Sequence, residues 1–212
     1  INNQLKYATI PDIKSSKLLS KIIVKKQKSP NIMFASGQYG KAIEFINVNL
    51  QTFPEDHNLI FLKGRSQLML NQHEEASSTF LDALAIKMDS DYLNGLGYAY
   101  TKLKQTNKAI AAYNKAISIN NKNSYAYFNA GLLLENSGNK KRAADYFYSA
   151  GTSALLKNDF IRANNAHVAL QRLSKSESSI KEKSNKLEKL IEKLSDVKDD
   201  DFKIVKINTN GD

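Results

Sequence analysis

The three histidines, His57, His73 and His167, are the residues with the most chemical reach, because imidazole ligates metals and moves protons near neutral pH. Each stands apart from the others. In the stretch QHEEA, His73 precedes two glutamates, yet no second histidine follows to complete the H-E-x-x-H pair that holds a catalytic zinc. The stretch NGLGYAY offers Gly95 and Gly97, but a phosphate-cradling loop needs a strand before it and a third glycine, and this segment reads as helix. Close helix packing accounts for both glycines. There is no cysteine, which removes thiolate metal sites, disulfides and a cysteine nucleophile. No spacing sets a Ser-His-Asp constellation or a pair of carboxylates to work together. The sequence therefore reads as a non-enzyme that needs neither metal nor cofactor.

The elements that would position any functional residue come next. The chain has 212 residues, 42% of them hydrophobic and only three of them proline, which suits one medium domain or an array of short units. No apolar run reaches the roughly 18 residues of a membrane span, so the chain reads as soluble. It begins at Ile1 rather than Met, so any export signal would precede it, and the sequence assigns no compartment. The formal net charge is +10, and the excess is concentrated. Residues 1 to 30 hold seven lysines against Asp12, or 7 − 1 = +6; residues 90 to 123 hold five against Asp91, or 5 − 1 = +4. Such a basic arm could touch nucleic acid or an anionic membrane. A solvated lysine-rich face is the preferred reading, and contact with nucleic acid or membrane is disfavoured.

Sliding the chain against itself exposes a period. Shifted by 34 residues, the stretch NSYAYFNAGLLLENSGNKKRAADYFYSA, from Asn123, overlies DYLNGLGYAYTKLKQTNKAIAAYNKAI, from Asp91. Gly131 then meets Gly97, Ala143 meets Ala109, Phe147 meets Tyr113 and Ala150 meets Ala116. A further step of 33 brings in Gly64, Ala76, Phe80 and Ala83, and one more brings Ala42, Ile46 and Pro54, with Asn49 in place of the last small residue. Each unit carries two apolar stripes at helical spacing, such as Leu93, Leu96, Tyr100 and Leu103 and then Ala109, Ile110, Tyr113 and Ala116, separated by a polar turn. Neither helix buries its stripe alone, so the units must stack.

These residues resemble the tetratricopeptide repeat, a helix-turn-helix unit of 34 residues, over about residues 30 to 157. The resemblance implies an all-α, right-handed superhelical solenoid. There are departures: the closing proline survives only as Pro54, with Met88, Asn121 and Leu155 at the later equivalents, and Tyr127 alone keeps the opening aromatic. Pro30 stands where the first unit wants a small residue, so that helix is expected to be short or kinked. The expected organisation is a basic segment over 1–29 and a partial unit over 30–56. Units over 57–89, 90–123 and 124–157 follow, then a capping helix over 158–174, a charged heptad-like helix over 175–198 and a flexible tail over 199–212. In the basic segment, Leu18, Leu19, Ile22 and Ile23 would form one side of an amphipathic helix. The cap is expected to start from Asn158 and to bury Ile161, Val168 and Leu170. Ile180, Leu187 and Leu194, with Leu190 and Val197, make a seam that serves either a helix folded back on the array or a coiled-coil dimer.

The resemblance further implies a protein–protein interaction module, a scaffold, assembly or secretion factor that takes a peptide in its concave groove, which the first helices line. Helical counting assigns Asn58, Phe61, Arg65 and Leu68 to that face in one unit, and Asp91, Asn94, Tyr98 and Thr101 in the next. The third supplies Tyr125, Phe128, Asn129, Leu132 and Glu135, and the cap adds Arg162. The site expected to hold the partner is Phe61, Arg65, Asn94, Tyr98, Tyr125, Phe128, Asn129, Leu132 and Arg162: rings to bury apolar side chains, amides to bond a peptide backbone. Phe61 and Tyr125 could instead pack between neighbouring first helices. Some relatives grip a C-terminal carboxylate with Lys, Asn and Arg; only Asn129 has a counterpart here, so that clamp is not expected. Self-association into a homo-oligomer is the alternative reading, and nucleic-acid or membrane contact by the basic arm is a third.

Overall fold

The computed structural model describes residues 29–175 and 177–208, with side chains as far as Asp196. The basic segment with its amphipathic pattern therefore lies outside the described residues, apart from Ser29. Everything described is helix or short connection, with no strand. The helices are α1 (Pro30–Ala35), α2 (Tyr39–Thr52), α3 (His57–Met69), α4 (His73–Ile86), α5 (Ser90–Lys102), α6 (Thr106–Ile119), α7 (Ser124–Asn136), α8 (Lys140–Leu155), α9 (Phe160–Ser174) and α10 (Ser178–Asn208). Each packs mainly against the next, as in a stacked array.

The small residues explain how the pairs nest. Phe80 of α4 is fully buried between Gly64 of α3 and Gly95 of α5, and a Cβ on either glycine would stand 2.7 Å from its ring. The same contact recurs one unit on: a Cβ on Gly97 would fall 2.6 Å from Tyr113, and one on Gly131 2.8 Å from Phe147. Ala76, Ala109 and Ala143 are buried just ahead of these rings on the second helices. Glycine thus costs some helix propensity but admits a ring worth about 1.5–3 kcal/mol of burial.

The turns between paired helices repeat as well. Asn71, Lys104 and Gly138 all take left-handed φ, at 60°, 58° and 80°. After each, a backbone N–H reaches back to the helix just ended: Gln72 to Gln67 O, Gln105 to Tyr100 O and Asn139 to Leu134 O, each at 2.9 Å. This bond satisfies a carbonyl that the end of a helix leaves unpaired. Side chains cap the first helices, as Asp56 does for Asn58 and Leu59 N–H, Asp89 for Asp91 N–H and Asn123 for Ala126 N–H.

The ends of the array depart from expectation in several places. Pro30 is the first residue of α1, where its missing N–H breaks no helical bond, and the helix lasts six residues. Asn158 does not cap α9; it takes the left-handed turn at φ 56°, and Asp159 accepts from Arg162 N–H instead. Ile161 and Val168 are 79% and 57% exposed, so of the three expected cap residues only Leu170 is buried. The buried face of α9 is Ala163, Ala166, Ala169, Leu170 and Leu173, because alanines allow close approach to α8. The seam helix folds back: α10 packs on α9 and α8 with Ile180 and Leu187 buried, while Leu190 and Leu194 stay partly open. Its backbone continues through 199–208, which the sequence reading assigned to a flexible tail, since no proline or glycine interrupts it before Gly211.

Candidate partner-binding groove

Three first helices, α3, α5 and α7, border a groove of about 550 Å³. From α3 come Phe61, Arg65, Leu68 and Met69; from α5, Asp91, Asn94, Gly95 and Tyr98; from α7, Tyr125 and Asn129. Stacking brings residues more than 30 positions apart to one surface. Asn129 Nδ2 donates to Asn94 Oδ1 at 3.0 Å across the unit boundary. That bond orients both amides and leaves the Asn94 N–H groups and Asn129 Oδ1 for a ligand, one end donating and the other accepting.

The rings are held on their far sides. Phe61 stacks on Tyr92 with centroids 4.5 Å apart and meets Phe80 at 5.8 Å, so it both packs between units and lines the groove. The Tyr92 hydroxyl is in hydrogen-bond contact with His57 Nδ1 at 2.6 Å and lies 3.3 Å from Asn58 Oδ1. Burial raises the Tyr92 pKa above its ordinary value, and the carboxylates of Asp89, Asp56 and Asp91 add to the shift. Arg65 places its guanidinium 4.4 Å over Phe34 and 5.8 Å from Phe61, with no carboxylate within ion-pair range among the described residues. Tyr125, 53% exposed, lies 3.6 Å beneath the guanidinium of Arg162, which also pairs with Asp159.

Not every expected residue reaches the groove. Phe128 tilts onto Phe147 at 5.4 Å, and it and Leu132 pack against the core shared by α8 and α9 rather than lining the groove. Arg162 stands beside it, through Tyr125. Thr101 turns inward, donating to Gly97 O at 2.9 Å and meeting the Tyr113 hydroxyl at 3.2 Å. Glu135 takes both nitrogens of Arg172 at 2.9 and 2.6 Å, tying α7 to α9. Met69 and Gly95 line the groove without having been singled out for it. Met69 follows Arg65 by one helical turn, a signal that counting could have used. Gly95 was read as a packing residue, and it lies under Phe80 as well as on the groove floor.

Among the described residues, a catalytic reading has one local candidate. His167 Nδ1 is 3.5 Å from Ser184 Oγ, and its Nε2 is 3.7 Å from Glu188 Oε1. Both separations are long for the hydrogen bonds of a nucleophile relay, and Ser184 is 3% exposed, so its hydroxyl faces packed helix rather than a substrate. No group of three or more metal-ligating side chains stands together among the described residues, and no described helix is long and apolar enough to cross a membrane.

Comparisons with known proteins agree on the architecture. The family described as TPR repeat matches residues 97–138. Human tetratricopeptide repeat protein 6 is 28% identical over 118 residues, 55% of this chain and 22% of that protein. TPR repeat-containing protein MJ1428 of Methanocaldococcus jannaschii is 27% identical over 115 residues, 54% of this chain and 20% of that one. The matched part is thus about a fifth of each of these relatives. Among solved structures, MamA superposes with a TM-score of 0.60 at 17% identity, over 81% of this chain and 96% of that one. PcrH from Pseudomonas aeruginosa gives 0.53 at 20% identity, over 56% and 91%. YrrB, described as a TPR protein with an unusual peptide-binding site, gives 0.50 at 20% identity, over 76% and 94%. At such identities the likeness is one of fold, a solenoid of stacked helix pairs.

Proposed function

We propose that this chain, which matches the TPR repeat family over residues 97–138 and has a fold that serves generally as a protein–protein interaction module, holds a peptide segment of a protein partner in the groove between α3, α5 and α7. The observation that carries this reading is the Asn94–Asn129 pair, two amides locked by one bond with a donor end and an acceptor end left over. A peptide backbone offers the complementary C=O and N–H. Phe61, Tyr98 and Tyr125 give apolar surface on which its side chains rest, and Arg65 offers a guanidinium fork that no described carboxylate occupies. Phe128 and Leu132 act here as support, holding α7 against α8. The role is that of a scaffold, assembly or secretion factor rather than a catalyst.

Panning a displayed peptide library against the full chain tests this. Enriched peptides should bind at least about tenfold more weakly to Asn94→Ala/Asn129→Ala, with the far-UV helical signal unchanged. Undiminished binding to that variant would place the partner site elsewhere.

A further inference from the structure

Two arginines beside the groove are stacked on rings, and among the described residues only one of them has a carboxylate as well. At the α7 end, the guanidinium of Arg162 lies 3.6 Å over the Tyr125 ring and also pairs with the Asp159 carboxylate. At the α3 end, the guanidinium of Arg65 lies 4.4 Å over Phe34 and 5.8 Å from Phe61, and no described carboxylate reaches it. Stacking on a ring occupies the face of a guanidinium and leaves the N–H groups in its plane to bond. The two rings thus hold Arg65 in place, and because the residue is exposed its N–H groups are open to a ligand. A pair of such N–H groups matches the two oxygens of a carboxylate.

The charge around the groove has the same sense. Lys102, one helical turn after Tyr98, sets its Nζ 5.2 Å from that ring and has no carboxylate within ion-pair range among the described residues either. Asp91, the acid among the lining residues, is offset locally: it sits in the first turn of α5, where the helix end favours negative charge, and it accepts from Asn123 Nδ2 at 3.0 Å. With the groove taken as a peptide site, a reading on which this one rests, we propose that the bound segment is acidic: one of its Asp or Glu side chains takes the Arg65 N–H pair, and a neighbouring apolar side chain rests on Phe61. A chain-terminal carboxylate fits less well. The positions equivalent to Arg65 in the next two units are Tyr98 and Leu132, so stacking puts no second cation in register with Arg65 to converge on a terminus.

Peptides enriched from a displayed library on the full chain are synthesised and titrated by fluorescence anisotropy. They should carry Asp or Glu beside an apolar residue, and their binding should weaken as salt is raised. Changing that acid to its amide should weaken binding to the wild type about tenfold, yet leave binding to Arg65→Gln, itself about tenfold weaker, unchanged; this coupling locates the contact. Arg65→Lys should recover only part of the loss, because an ammonium keeps the charge without the planar fork. The acid-to-amide change alters the peptide alone, so its result does not depend on how a variant folds. Neutral or basic peptides that still lose affinity for Asn94→Ala/Asn129→Ala overturn the acidic partner and leave the groove standing, whereas peptides indifferent to that variant and to Arg65→Gln overturn both. Acidic peptides that bind Arg65→Gln as tightly as the wild type also overturn the proposal, since net charge rather than this site then draws them. So does a loss on amidating the peptide's C-terminus with none on the side-chain change, which means a terminal carboxylate is held instead.

Discussion

Equivalent positions in successive units behave in two ways. Inside the array the residues repeat: Gly64, Gly97 and Gly131 each sit against a ring, Phe80, Tyr113 and Phe147 in turn. On the groove side they diverge. Where α3 has Phe61, α5 has Asn94 and α7 has Phe128; where α3 has Arg65, the equivalents are Tyr98 and Leu132. Uniform inner contacts set one stacking geometry for every pair, because a ring over a glycine admits little variation in the distance between helices. The groove is free of that demand and presents a different chemical group at each level, which is what distinguishing one peptide from another requires.

The sharpest way to break the comparison is to remove an inner ring. Phe80→Ala empties the space between Gly64 and Gly95 and should cost about 3–5 kcal/mol in denaturant unfolding, while Arg65→Ala, one helical turn from Phe61 on the groove, loses only its contacts with the Phe34 and Phe61 rings and should cost no more than about 1 kcal/mol. Next in size is a methyl group on a packed glycine. Gly97→Ala sets a Cβ against Tyr113 and should destabilise by about 1–3 kcal/mol; Gly40→Ala in α2 meets nothing within 4 Å and should stabilise by about 0.5–1 kcal/mol. Opposite signs in thermal melts would sharpen the distinction, and equal signs would dissolve it.

Alkaline pH probes the same inner layer. Burial holds the Tyr113 pKa well above its ordinary value, against a smaller opposing effect from its Thr101 hydrogen bond. The folded state thus binds the phenolic proton more tightly than the unfolded chain, so this stability is complete below about pH 10 and declines as pH rises beyond it. Tyr113→Phe should lose less stability than the wild type between neutral and strongly alkaline pH, as read by denaturant midpoints. The smallest expected effect lies in a turn. Lys104 holds a left-handed φ with a side chain that gains nothing from it, and Lys104→Gly should raise stability by up to about 1 kcal/mol with no change in peptide binding.

What could be read from the residues alone was whatever depends on spacing along one helix or between identical units. The period, the pairing of small residues with rings, the short first helix at Pro30 and the candidacy of Asn94 and Asn129 all follow from position in the chain. Rotation about each helix axis was decided by neighbours. Phe128 and Leu132 share a unit with Asn129 yet turn to the α8 core, and Thr101 turns to Gly97 and Tyr113. The cap buries Ala163, Ala166 and Ala169 with Leu170 and Leu173, and its rotation against α8 turns Ile161 and Val168 outward. Whether the 180–194 seam met its own array or another chain was open in the sequence, since an apolar stripe records that something covers it and not what. Tertiary contact answered for Ile180 and Leu187 by placing α8 and α9 beneath them, and it left Leu190 and Leu194 at the edge where those helices end.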